Sequence, residues 1–173
     1  AAIAAMEVED LAELSTAAVA AMTTAQVQAL TTGSEGQVAG LTTAQVAGLK
    51  TNQVAALTTD QVAALAVDDL AKMSTAQIRA MTTAQIVALQ TDDLVALTTA
   101  NVETLRTAQV AALLTDQVAS ITTAQVVALT TTQVQSFGVD QVVVLQSDQI
   151  RALQVLQFAA LLTSQIDALT TDQ

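Results

Sequence analysis

Two pairs of adjacent carboxylates are the residues of this sequence whose spacing most resembles a chemical site. Asp68 and Asp69 form the first pair, and Asp92 and Asp93 form the second, 24 residues later. Paired carboxylates can hold a divalent cation or act as an acid–base couple. Ligand oxygens lie about 2.3–2.6 Å from calcium, whereas packed helices are about 8–10 Å apart, so pairs in adjacent layers cannot share an ion. We therefore expect these carboxylates to stabilise helix N-termini, and we predict no metal site.

The sequence lacks the groups that activate a nucleophile or hold a common cofactor. It has no His and no Cys, so the Ser and Thr hydroxyls have no general base beside them. The five glycines, at 33, 36, 40, 48 and 138, fit neither a dinucleotide-binding loop nor a phosphate-binding loop. We predict that the chain is not an enzyme and binds no cofactor.

Charge and composition exclude further classes of partner. The formal net charge is −11, with only five Lys and Arg residues, and such a surface repels phosphate backbones and anionic lipids. Thr and Gln interrupt every apolar run before it reaches the length of a membrane-spanning helix. We predict neither nucleic-acid binding nor membrane insertion.

The composition of the apolar residues indicates the kind of core. Aromatic residues make up only 1% of a chain that is 52% hydrophobic, which favours a stack of small identical layers over a core of mixed side chains.

An eight-residue repeat, here called the octad, runs through the chain. Leu, Met, Ile or Phe occurs at every eighth position from Leu41 to Leu169, with another apolar residue three positions before each. Residues 58–65, Thr-Thr-Asp-Gln-Val-Ala-Ala-Leu, define octad positions 1 to 8. The phase slips once, by three residues, and we place a small loop insertion near 32–36.

This period predicts an all-α solenoid of very short helices, one for each octad. Eight residues at about 100° each would carry an apolar stripe around a continuous helix, and residues three apart face opposite ways in a strand. Short helices with a corner in each octad avoid both problems, and they must stack to survive in water. We expect one solenoid domain over 1–173.

A longer period of 24 residues indicates how many octads make one turn. Departures from Thr at position 1 recur at this interval, at Ala66, Gln90, Leu114, Gly138 and Leu162. This favours three octads per turn, although gene duplication would produce the same pattern.

Two polar positions of the octad have predicted structural roles. The second Thr varies less than the first, so we predict that it is the N-cap, as at Thr59, Thr83, Thr99, Thr107 and Thr123. The nearly constant Gln at position 4 should bind backbone groups at the corners of its own or the adjacent layer, because so many corners leave unpaired N–H and C=O groups. Representative amides are Gln61, Gln85, Gln109, Gln125 and Gln141.

The octads resemble a known class of repeat. Residues 41–49 and 81–89 contain Thr-Thr-Ala-Gln followed by Val or Ile, which is similar to the TTAQVAAL-type arrays of large secreted or surface-attached bacterial proteins. The resemblance covers essentially the whole chain. It implies an extracellular stalk, spacer or fibre subunit. Some such arrays carry adhesin or haem-utilisation labels, but this sequence offers no His, Cys or Tyr to ligate iron.

Two interactions with partners follow from this interpretation. A solenoid end without a polar cap favours head-to-tail self-association into filaments, whereas the acidic start at Glu7, Glu9, Asp10 and Glu13 has the character of a solvated end. The alternative function is an adhesin-like module that binds a protein or glycan. Its candidate contacts lie at the variable position 6 of the octad: Arg79, Glu103, Gln135, Arg151 and Asp167.

Overall fold

All regular structure in the described part of the chain is helical. The computed structural model describes residues 3–33 and 35–173, which contain one 3-10 helix and nineteen α-helices of five or six residues, and no β-strand. This confirms the predicted all-α solenoid of very short helices. Within the same residues, every helix is too short to cross a bilayer.

The chain forms two compact units, of which the first ends at Leu89. A 3-10 helix, Ile3–Ala5, opens the first unit. Its α-helices are α1 (Val8–Glu13), α2 (Thr16–Ala20), α3 (Thr24–Gln28), α4 (Thr43–Ala47), α5 (Thr51–Ala56), α6 (Thr59–Ala63), α7 (Val67–Lys72), α8 (Thr75–Ala80) and α9 (Thr83–Ala88).

The second unit, Gln90–Gln173, continues the same pattern of one helix for each octad. Its helices are α10 (Thr91–Ala96), α11 (Thr99–Thr104), α12 (Thr107–Ala111), α13 (Thr115–Ser120), α14 (Thr123–Ala128), α15 (Thr131–Gln135), α16 (Val139–Val143), α17 (Ser147–Ala152), α18 (Val155–Ala159) and α19 (Thr163–Asp167).

Helices that lie three octads apart pack directly on each other within each unit. In the first unit α5 packs on α8 and α6 on α9, and in the second unit α13 packs on α16 and α14 on α17. This spacing agrees with the 24-residue period of the sequence. The side-chain hydrogen bonds described below reach the end of the helix four octads back, which directly precedes in sequence the helix three octads back.

Positions 5 and 8 of the octad form the core of each unit. Val62 at position 5 is fully buried, and Leu65 at position 8 is 5% exposed. Residues three apart share one face of a helix, so both side chains point inward. Burying such a side chain contributes roughly 1.5–3 kcal/mol, which holds helices that are too short to persist alone in water.

The helices begin one residue earlier than the predicted caps require. Thr58, with φ −73° and ψ 163°, is the N-cap of α6, and its hydroxyl accepts a hydrogen bond from Gln61 N at 3.1 Å. The predicted cap Thr59 is already the first helical residue, and Asp60 is the second. The prediction is therefore wrong by one position at Thr59, Thr83, Thr99, Thr107 and Thr123, where the N-caps are Thr58, Thr82, Thr98, Arg106 and Thr122.

The predicted loop insertion lies between α3 and α4. Thr31 and Gln37 hold the two ends of the insertion together, because the backbone N–H of each donates to the other's side-chain oxygen at 3.1 Å. Gly33 between them has φ 110°, a conformation in which a side chain would be strained. Ser34, which also belongs to the predicted loop, lies outside the described residues. The insertion thus leaves the position 1 and position 4 contacts of its octad in place.

Candidate functional site

The side-chain oxygen of the position 4 glutamine caps the start of its own helix. Gln85 Oε1 accepts a hydrogen bond from Thr82 N at 2.7 Å, while Thr82 Oγ1 accepts from Gln85 N at 3.2 Å. This reciprocal pair is a capping box, and it satisfies two of the backbone donors that a helix leaves unpaired. We call the set of position 4 glutamines the glutamine ladder.

The glutamine oxygen also explains why position 1 tolerates residues that cannot cap. At Lys50, Arg106, Leu114 and Gly138 the N-cap side chain makes no capping hydrogen bond. The backbone N–H of each still donates to the Oε1 of the glutamine three residues later, at 2.7–2.8 Å. Position 1 can therefore vary, because the glutamine, and not the threonine, supplies the constant half of the capping box. This variation is the reason that the cap was predicted at position 2 instead.

The amide nitrogen of the same glutamine reaches a different turn. Gln85 Nε2 donates to Val54 O at 2.8 Å and to Leu57 O at 2.7 Å, which are 31 and 28 residues earlier. The acceptors are the carbonyls of positions 5 and 8, four octads back. Equivalent pairs are made by Gln45, Gln53, Gln61, Gln77, Gln125, Gln133, Gln141, Gln149, Gln157, Gln165 and Gln173.

These amides are buried and fully used by the fold. Gln61 is 1% exposed and Gln125 is 2% exposed. In the described part of the chain, no buried side-chain nitrogen or oxygen lacks a hydrogen-bond partner. Because the Nε2 of each of these glutamines places both of its hydrogens on carbonyls at a helix end, these amides join successive turns and leave no free donor for a ligand. The sequence predicts bonds from the glutamine to backbone groups of its own or the adjacent layer. In the structure the side-chain oxygen bonds within its own helix, and the side-chain nitrogen bonds to carbonyls of an earlier turn.

After the insertion, three octads carry a shorter side chain at position 4. Asp69, Asp93 and Asn101 are buried there, with 2–3% exposure. Asp93 Oδ2 accepts from Gln90 N at 2.8 Å, and Asp69 Oδ2 accepts from Ala66 N at 3.3 Å. Both carboxylates therefore act at a helix N-terminus, but an ionised carboxylate has no hydrogen to donate to an earlier turn.

The environment of Asp93 changes its acidity. Burial raises the pKa of the Asp93 carboxyl above the ordinary value of 3.8, the hydrogen bond from Gln90 N opposes this, and the neighbouring charge of Asp92 adds to the increase. Loss of hydration is the largest cause, because a charge is poorly stabilised away from water. A neutral carboxyl at this position is consequently favoured more than at an exposed site.

The two carboxylate pairs of the sequence are divided between solvent and interior. Asp68 and Asp92 are exposed, whereas their neighbours Asp69 and Asp93 are buried at position 4. Within residues 3–33 and 35–173, no three His, Cys, Asp or Glu side chains come together as metal ligands would.

The predicted surface contacts at position 6 are all exposed: Arg79, Glu103, Gln135, Arg151 and Asp167. They lie on helices with different packing partners: α11, which carries Glu103, packs on α14, and α15, which carries Gln135, packs on α12 and α18. Arg151 lies 3.8 Å from Asp148 on its own helix. Arg79 belongs to the first unit.

Comparison with known families agrees with this repeat geometry. The model of the ALTTAQ repeat matches five times, at residues 3–36, 35–67, 63–92, 86–123 and 118–155. The chain belongs to the ALTTAQ repeat family. This confirms the sequence resemblance to TTAQ-type arrays. Searches of the curated proteins and of the solved structures gave no significant match. The family's six-letter motif includes the Thr-Thr-Ala-Gln stretch that forms the capping box, as at Thr82 to Gln85.

Two features of the site were missed from the sequence. The spacing Thr-x-x-Gln, as in residues 58–61, is the signature of a capping box and would have placed the N-cap correctly. The four-octad reach of the amide has no such signature, because it depends on how far successive turns are offset. The gaps in the ladder at Asp69 and Asp93 are visible in the sequence, where these residues replace the position 4 glutamine.

Proposed function

We propose that this chain is a structural scaffold: a stalk, spacer or fibre subunit, secreted or displayed on the bacterial surface, whose length is set by its number of octads. The observation that carries the proposal is the glutamine ladder. One contact, from the position 4 amide to carbonyls four octads earlier, recurs through both units. The resemblance to secreted repeat arrays supports the location, and the proposal assigns no catalysis and no cofactor.

Additive length is the physical reason that favours a scaffold. Most octads contribute the same buried pair, positions 5 and 8, and the same amide bridge, so the stability of an array is close to a sum over neighbouring turns. Adding or removing whole octads preserves every contact. A function that depended on one constellation of side chains would not survive such changes.

Deletion of whole octads tests this proposal. Removing residues 122–129 should leave a cooperative helical fold, because the glutamines that follow meet equivalent carbonyls one octad further back. Small-angle scattering should report a decrease in the largest dimension that is reproduced when a second octad, residues 130–137, is also removed.

The matched control removes half an octad. Deleting residues 122–125 places apolar position 8 residues such as Leu129 where the ladder needs glutamines, and it should abolish cooperative melting in circular dichroism. If whole-octad and half-octad deletions are equally damaging, or if the dimension does not change with octad number, the scaffold proposal is wrong.

We also propose that copies associate head to tail. Such contacts are heterologous, so they extend into filaments and do not close as a two-fold dimer does. Sedimentation velocity over a wide range of concentrations tests this part. Species that grow with concentration support it, and a strict monomer throughout contradicts it.

A further inference from the structure

Position 1 of the octad is apolar in three stacked octads of the second unit. These octads begin at Leu114, Gly138 and Leu162, whereas the other octads of the unit begin with Thr, Gln or Arg. Their helices, α13, α16 and α19, pack on one another in that order. Leu114 is 50% exposed although α13 also packs on α10, so this exposure is a property of the position and not of a missing neighbouring turn.

The glutamine ladder aligns the three position 1 residues in one column. Gln141 Oε1 accepts a hydrogen bond from Gly138 N at 2.8 Å, and Gln141 Nε2 donates to Leu113 O at 2.7 Å. Gln165 makes the same two bonds for Leu162 and for the residue before Gly138, at 2.8 Å each. The glycine therefore lies between the two leucines of the column.

The absent side chain of Gly138 leaves a cavity between two of these octads. A Cβ built on Gly138 would meet only Gln141 Oε1, at 3.8 Å. Leu114 and Val139 line the cavity, which is open to solvent and has a volume of about 410 Å³. Val139 is 44% exposed at position 2, where most octads of this unit have Thr. We call this surface the glycine notch, comprising Leu114, Gly138, Val139 and Asp140.

The charge around the glycine notch is negative. Among the described residues that line it, Asp140 alone is charged. Asp116 is exposed at the same position of the preceding octad in the column, and the three octads of the column contain no Lys or Arg. An apolar side chain that enters the notch therefore meets carboxylates beside it, which favours a ligand with cations next to that side chain.

We propose that the glycine notch binds a basic segment of another protein, in which a Leu side chain fills the space beside Gly138 and a flanking Lys or Arg side chain pairs with Asp140. An apolar anchor in such a pocket supplies most of the affinity of a small contact, and complementary charge supplies specificity. Apolar residues that replace polar ones at one exposed place are typical of an interaction surface. This inference adds a binding surface to the scaffold and does not depend on head-to-tail association.

Titration with short synthetic peptides tests the proposal. The probe is the basic peptide Gly-Lys-Leu-Lys-Gly, acetylated and amidated at its ends. Its matched peptides are Gly-Lys-Ala-Lys-Gly, which lacks the anchor, and Gly-Glu-Leu-Glu-Gly, which lacks the cations. The basic peptide should shift the methyl NMR signals of Leu114 and Val139 and should saturate below about 10 mM. Each matched peptide should bind roughly 10-fold more weakly, and sodium chloride should weaken the binding of the basic peptide.

Variants of the notch and a matched control complete the experiment. Gly138→Leu fills the cavity with the residue that the other two octads of the column have at position 1, so the fold should be retained, and the basic peptide should bind roughly 10-fold more weakly. Val139→Thr, which restores the common residue, is the second variant if Gly138→Leu melts earlier than the parent. Asp140→Asn should weaken both the binding and its dependence on salt. Val127→Thr changes a side chain that is 40% exposed on α14, outside the column, and should bind the peptide as the parent does.

Three results would overturn the proposal. If the parent chain does not saturate with the basic peptide, or if a folded Gly138→Leu or Val139→Thr variant binds it as the parent does, the notch is not the site. If the alanine peptide binds as tightly, attraction between charges explains the binding without an apolar anchor. If the acidic peptide binds as tightly, the partner is not selected by its charge.

Discussion

The side-chain nitrogen of Gln85 lies 2.7 Å from the carbonyl oxygen of Leu57, a residue four octads earlier in the chain. Its side-chain oxygen meanwhile accepts from the backbone of Thr82, at the start of its own helix. One amide therefore pairs the N-terminus of one helix with the C-terminus of another. Very short helices leave most of their backbone groups unpaired at their ends, so this double use of one side chain is what allows them to stack.

Loss of this bridge should destabilise the chain. We expect Gln125→Leu to lower the free energy of unfolding by about 1–3 kcal/mol, because the carbonyls of Leu94 and Leu97 and the N–H of Thr122 lose their partners inside the protein. Denaturant unfolding measures the change. Gln26→Leu is the matched control, since it removes a capping box without a bridge, and it should cost less. Equal losses in the two variants would contradict a stabilising role for the bridge.

The octad pattern predicted the helices and the core, but not the contacts between turns. The spacing of Val62 and Leu65 is enough to place both on one helix face, because that depends only on local helical geometry. The partner of Gln61 depends on the offset between turns, which no local rule contains. The N-cap at Thr58 is predictable in principle, because Gln61 stands three residues later and completes a capping box. Variation at position 1 does not argue against such caps, because the glutamine supplies its half of the box whatever residue stands there.

Restoring the ladder at Asp69 should stabilise the first unit. The octad register places position 4 of this helix over the carbonyls of Val38 and Leu41, as Gln77 is placed over those of Val46 and Leu49. Asp69→Gln supplies the missing donor, and we expect a gain of roughly 0.5–1.5 kcal/mol for each hydrogen bond formed. Thermal and denaturant unfolding test this value. Asp68→Gln, at an exposed neighbouring position, is the control and should leave stability nearly unchanged.

The stability of the chain should depend on the protonation of Asp93. Burial raises the pKa of this carboxyl in the folded chain above 3.8, so the folded chain binds more protons than the unfolded chain between these two values. The contribution of Asp93 to the free energy of unfolding is therefore full below 3.8 and is lost as the pH rises through the folded pKa.

Asp93→Asn isolates this effect because the amide oxygen still accepts from Gln90 N. The variant should be more stable than the parent at pH 7, and the difference should shrink as the pH is lowered through the raised pKa. Unfolding curves at several pH values give the comparison. A difference that does not change with pH would show that ionisation of Asp93 has no effect on stability.

Gly40, in the octad that contains the insertion, lies against Val8 of α1. A Cβ built on Gly40 would lie 2.1 Å from Val8 Cγ1, and the β-branched valine has little freedom to turn away. We expect Gly40→Ala to destabilise the chain by about 1–3 kcal/mol, as overpacking of a filled contact does. The double variant Gly40→Ala with Val8→Ala removes the clashing methyl groups and should recover part of the loss.

Gly138→Ala is the matched control. Its Cβ would meet only Gln141 Oε1, at 3.8 Å, and the φ angle of Gly138 is −70°. Alanine there should be neutral or stabilising by about 0.4–1 kcal/mol, because it restricts the unfolded chain without strain in the folded one. If both alanine variants change the unfolding midpoint in the same direction and by the same amount, the contact with Val8 is not the reason for glycine at position 40.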